Sequence, residues 1–168
     1  MQYRARHIAP GVLRLVTNAL PDLDEGEAVI VTIERGRSDA NHKHQFAWIK
    51  DAWGSLPEQY ADAPWAENPE TLRKHALIAC GFHRTYTLDC GANATAQRIK
   101  TELVRAEAKA EGYAIGQVRG PVLTIWTPES QSYRAMGGER FKASKAAILD
   151  WIADKLGVSP DELRRASA

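Results

Sequence analysis

Residues 139 to 156 place Phe141, Ile148, Leu149, Ile152 and Leu156 on one stripe of a helix that Gly157 ends. A stripe of that length must be buried against another layer, so the rest of the chain has to supply one. The candidates alternate. Residues 2 to 8 read as a strand, and GVLRLVTNAL (11 to 20) places Val12, Leu13, Val16 and Leu20 at helical spacing before Pro21. EAVIVTIER (27 to 35) is a β-branched strand, and Ser38 is a natural N-cap for a helix over 39 to 53 with Phe46, Ile49 and Trp53 on its inner face.

PETLRKHALIA (69 to 79) is a third helical segment, with Asn68 as its cap, Pro69 at its first position and Gly81 beyond its end. FHRTYTLD (82 to 89) and PVLTIW (121 to 126) read as strands around a helix over 94 to 112, in which Ile99 and Leu103 point inward and Arg98, Lys100, Arg105 and Lys109 line the flanks. Ser159 and Pro160 open a last short helix. This order predicts an α+β fold, a small, mainly antiparallel sheet covered by helices. A length of 168 residues with no composition break predicts one domain over 1–168.

The formal net charge is +1, so binding to a polyanion has to come from locally segregated charge rather than a global excess. No apolar run is long enough for a membrane span, and the N-terminus lacks a signal-peptide core, which predicts a soluble cytoplasmic protein. Cys80 and Cys90 are too few for a disulfide framework.

Gly-rich phosphate loops, G-x-S-x-G and H-E-x-x-H are all missing, which points away from an enzyme and from a bound cofactor. His42 and His44 form an H-x-H pair, but on a helix they diverge by about 200°. His75, Cys80, His83 and Cys90 are zinc-competent types without the paired short knuckles of a structural zinc site. No metal is expected at either set. Segment 54 to 70 holds four carboxylates, three prolines and no Lys or Arg, and reads as a long surface loop, a candidate contact for a protein partner.

The basic strand-to-helix turn is the leading candidate site. Arg35, Arg37, Lys43 and Lys50 oppose only Asp39 between residues 35 and 50, and Ser38 and Asn41 lie where a helix opens. Guanidinium forks beside free amides hold phosphate without catalytic machinery, although an ordinary solvated helix start has the same composition. Trp48 lies off the predicted apolar stripe, where a base could stack on it. A second basic set, Arg134, Arg140, Lys142 and Lys145, flanks Gly137 and Gly138.

RGRSDANHKHQFAW resembles a pattern close to R-S-x-x-Q-[NH]-[RK]-x-x-[FW]-A in the phage recombination proteins called NinB or Orf and in a related phage-encoded family. Arg37, Ser38, His42, Lys43, Phe46 and Ala47 match it, with Asn41 where Gln is usual. The order that follows is also similar: a helix like ETLRKHALIACGF, a strand, then SQSYRAM (130 to 136) leading into a long helix, with 94 to 112 as an insertion. The resemblance implies a non-enzymatic, homodimeric recombination accessory that binds single-stranded or branched DNA and loads a recombinase on strands coated by the host single-strand-binding protein. Arg35, Arg37, Ser38, Asn41, Lys43, Lys50, Arg134 and Lys142 are then the candidate DNA contacts. Two other readings stand beside it: a metal-dependent nuclease using His42, His44 or the Cys80/His83 set, and a protein-interaction module built on 54 to 70.

Overall fold

The computed structural model of the chain describes residues 5–15, 27, 39–132 and 135–166. They belong to two compact units, Met1–Glu34 and Arg35–Ala168. The fold class is α+β, with antiparallel sheets, as the alternating segments predicted.

In the first unit, β1 (Ala5–Ala9) pairs antiparallel with β2 (Val12–Leu15) across Pro10–Gly11, where Gly11 takes φ +73°. The helix expected over 11 to 20 is therefore a strand as far as Leu15. A Pro-Gly pair fits a tight two-residue turn, and that local geometry overrides the helical spacing of Val12 and Leu13. Residues 16 to 20 and the strand expected over 27 to 35 lie outside the described residues, apart from Glu27.

The second unit opens with α1 (Asp39–Gly54). Its inner face differs from the expected one. Among its described side chains Gln45, Trp48, Ile49 and Ala52 are buried, while Phe46 stays 40% exposed. The spacing 45, 48, 49, 52 is as helical as 46, 49, 53, but Gln45 breaks its apolar pattern and hides it from a hydrophobicity reading. Trp48 is core, not a stacking platform.

Segment 54 to 70 is built rather than loose, with 3₁₀ turns at Glu58–Tyr60 and Pro64–Ala66. Trp53 Nε1 donates to the Ala66 carbonyl at 2.7 Å, and Trp65 packs on the helical core. Then comes α2 (Pro69–Ala79), in which Asn68 Oδ1 accepts from the amides of Glu70 and Thr71 and Thr71 Oγ1 accepts from the Asn68 amide, a full capping box. Buried residues of α1 and α2 meet Ile148, Leu149, Ile152 and Ala153 of α4 (Gly138–Leu156) and Leu163 of α5 (Pro160–Ala166) in one core.

The sheet has the order β3 (His83–Asp89), β5 (Val122–Pro128), β4 (Ile115–Arg119), all antiparallel. Strand β4 was not anticipated. It reaches β5 through Gly120–Pro121, with Gly120 at φ +59°, as a tight hairpin needs. The helix α3 (Asn93–Glu111) packs on β4 and β5, burying Ala96, Leu123 and Ile125 with Ile99, Leu103 and Val104 against them.

Candidate nucleic-acid interface

Four parts of the second unit border a cleft of about 510 Å³: Phe46 from α1, Glu70, Arg73 and Lys74 from α2, Lys109 and Glu111 at the end of α3, and Glu129 to Ser132 after β5. Arg73 organises it. Its Nε and Nη2 grip the two Glu70 oxygens at 2.8 and 2.6 Å, its Nη1 donates to Gln131 Oε1, and its guanidinium carbon lies 5.3 Å from the centre of the Phe46 ring. Only 7% of Arg73 is exposed. Burial pushes the Glu70 carboxyl up, but the contacts with Arg73 and Lys74 outweigh it and hold the group below its usual value.

A buried polar chain runs inward from this point. Gln131 Nε2 donates to Ser144 Oγ at 2.8 Å, Ser144 Oγ donates to the Phe141 carbonyl at 2.9 Å, and Gln45 Nε2 lies 3.4 Å from Gln131 Oε1. Among the described residues, Gln45 Oε1 has no hydrogen-bond partner. The chain ties α1 and α2 to the segment ahead of α4. It thereby fixes the cleft walls, since a buried polar group held by several partners adopts one arrangement.

The cleft's other carboxylates are committed. Glu111 meets Arg84 at 2.5 Å, and its carbonyl accepts from Lys74 Nζ at 2.9 Å. Glu129 is paired with Arg140, whose hydrogen bonds hold its carboxyl down. Gly112, directly after Glu111, ends α3 with φ +77°, a left-handed conformation that favours glycine, and Lys74 Nζ lies against it. Lys109 is exposed and has no carboxylate partner among the described residues.

Of the predicted contacts, Arg35, Arg37, Ser38 and Arg134 lie outside the described residues, and Asn41 and Lys43 lie on α1 with side chains outside them. Lys50 is exposed on α1. Lys142 is exposed on α4 and paired with Glu139 at 3.1 Å, and Arg140 of the same basic set is the partner of Glu129. What the structure does bring together is the two stretches that carried the resemblance: Gln45 and Phe46 from the first, and Ser130, Gln131 and Ser132 from the second. Arg73, Lys74 and Lys109 were not singled out as cleft residues. An arginine beside Leu72 in an otherwise apolar helix face was the available signal for Arg73.

The zinc-competent set is dispersed among separate contacts. His75 Nδ1 is 2.9 Å from Tyr113 Oη, Cys80 Sγ donates to the Ala147 carbonyl, and His83 Nδ1 is 2.9 Å from Thr85 Oγ1. Among the described residues, no three His, Cys, Asp or Glu side chains converge as metal ligands. The side chains of His42 and His44 are outside the described residues. No described helix is long and apolar enough to cross a membrane. Compared with known proteins, the chain matches no family model, no curated protein and no solved structure.

Proposed function

We propose that this protein is a non-enzymatic, single-stranded-DNA-binding recombination accessory of phage or prophage origin, using the cleft and the adjoining start of α1. The observation that carries the reading is the meeting of Phe46 with Ser130, Gln131 and Ser132 at one cleft, although the two stretches are more than eighty residues apart in sequence. Phe46 is 40% exposed at the cleft, with the Arg73 guanidinium carbon 5.3 Å from its ring centre, and supplies an aromatic ring for a base to stack on. Ser130 and Ser132 offer hydroxyls, and Lys109 and Lys50 offer ammonium groups without carboxylate partners among the described residues. Arg35, Arg37 and Lys43, which precede or open α1 in the sequence, are the further candidate phosphate contacts.

Binding by charge predicts a salt law. Four phosphates neutralised by Arg35, Arg37, Lys43 and Lys50 give a slope of log affinity against log salt of about −3, at roughly 0.7 per contact. Replacing Arg35, Arg37 and Lys43 by alanine should reduce that slope by about 2, with the circular dichroism spectrum unchanged. A slope that stays the same removes these residues from the interface. Cleavage of DNA that stops on adding chelator, with stoichiometric metal in the purified protein, would favour the nuclease reading instead.

A further inference from the structure

The hairpin of the first unit lies in a stretch without negative charge. Residues 1 to 21 contain Arg4, Arg6 and Arg14, and the first carboxylate of the chain is Asp22. Those three arginines exceed the net charge of the whole chain, +1, and no lysine occurs before Lys43. Arginine supplies a planar fork that matches phosphate oxygens in pairs, where lysine supplies a point charge.

The register sets two of these residues together. Arg6 and Arg14 are direct cross-strand partners between β1 and β2, so they belong to one face of the ribbon. Like charges directly opposite one another destabilise a strand pair, and the hairpin itself holds no carboxylate to relieve them. Arg14 is exposed and has no carboxylate partner among the described residues. A bound anion lowers the cost of that pair. Around the Pro10–Gly11 turn, Ile8, Val12 and Leu13 are 48%, 46% and 39% exposed, and a register shift between His7 and Ala9 adds local twist.

We propose that the β1–β2 hairpin binds double-helical DNA, lying in the major groove with Arg6 and Arg14 at the phosphates that border it. Width selects the groove. Two strands about 4.8 Å apart, with their side chains, fit an opening of about 12 Å but not the minor groove's 6 Å or so. Exposed aliphatic side chains suit the groove floor, where thymine presents a methyl group. A lipid surface fits less well, because an interfacial segment keeps its apolar residues on one face and its cations on the other. Here Val12 shares a face with Arg14, and Leu13 belongs to the opposite one with His7. Arg6 and Arg14 lie outside the stretches that carry the resemblance, and in a different unit from the cleft. The inference shares with the proposed function only the class of polymer.

Fluorescence anisotropy with a short labelled duplex and a labelled oligothymidine, each titrated over a range of salt, separates the two sites. For the duplex, Arg6→Ala/Arg14→Ala should lower the slope of log affinity against log salt by about 2, at roughly 0.9 per contact, and weaken binding at low salt by about tenfold or more. The same protein should keep its circular dichroism spectrum and bind oligothymidine as the wild type does. Arg14→Gln alone retains a long polar side chain in the strand and should lower the duplex slope by about 1, whereas Arg6→Lys/Arg14→Lys should leave it unchanged. Netropsin, a minor-groove ligand, should not compete. A wild-type chain without duplex affinity, an alanine variant with an unchanged slope, an equal loss on oligothymidine, or competition by netropsin overturns the proposal. So does binding to phosphatidylserine vesicles in place of duplex, which assigns the hairpin to a lipid surface. Duplex binding that depends on Arg6 and Arg14, in a protein that ignores oligothymidine, keeps this inference and removes the cleft reading.

Discussion

Phe46 borders the cleft, 40% exposed and with the Arg73 guanidinium carbon 5.3 Å from its ring centre, and that position decides what its removal should do. In the proposed interface it stacks with an unpaired base, an interaction worth about 1–3 kcal/mol by alanine substitution. Phe46→Ala should therefore weaken binding to a short oligothymidine by roughly tenfold or more, while Phe46→Trp keeps it, read by fluorescence anisotropy at fixed salt. Equal affinity in all three proteins would take the ring out of the site. Phe46 was legible in the sequence as an aromatic of α1 but not as an exposed one, because Gln45 occupies a core position that a hydrophobicity pattern assigns to an apolar residue. Gln45 is accommodated because Gln131, an equally buried amide, lies within reach. That partner comes from a segment no local rule connects to α1.

Elements whose ends carry their own chemistry were the readable ones. In α2 the capping residue, the Pro at the first turn and the terminating Gly81 at φ +83° all stand in the sequence as the structure uses them. Asn68→Ala should cost about 1 kcal/mol, because the amides of Glu70 and Thr71 lose their acceptor, whereas Asn68→Ser should cost only a fraction of that. Urea denaturation of the three proteins checks the ordering. The helix α3 was found by propensity and α4 by its stripe, but β2 and β4 were not found. Each is four or five residues long and joined to its partner by a two-residue turn, so its pairing comes from Pro10–Gly11 or Gly120–Pro121 rather than from its own periodicity. The cleft was half legible for a related reason: its two motif stretches are visible in the chain, but Arg73, Lys74 and Lys109 join them only once α2 and the end of α3 are packed together.

Across the second unit, the packing of segment 54 to 70 on the helices depends on one titratable ring. His75 lies among Trp65, Tyr113 and Trp151, with ring centres 5.5 to 5.7 Å away, and Lys155 sits over Trp151. Burial, aided by the Lys155 charge, pushes its pKa down from 6.5 to about 4. Between those two values the unfolded chain binds a proton at this histidine and the folded chain does not. Stability is therefore full above about pH 6.5, falls as pH drops through that interval, and levels off below about 4. The whole interval corresponds to about 3 kcal/mol, and the ring is partly open to solvent, so about 1–2 kcal/mol is the expected loss. Carboxylates such as Glu70 and Glu129, held below their usual values, also lose stability as the medium turns acid, so the wild-type curve alone does not isolate the histidine. The comparison that does is with His75→Phe, which keeps an aromatic ring in the cluster and cannot be protonated. The variant loses the contact with Tyr113, a constant offset at every pH, and should close on the wild type by about 1–2 kcal/mol between pH 7 and pH 4.5 in urea melts. Parallel curves for the two proteins would show that the imidazole is as easily protonated folded as unfolded, and that the aromatic cluster does not exclude charge.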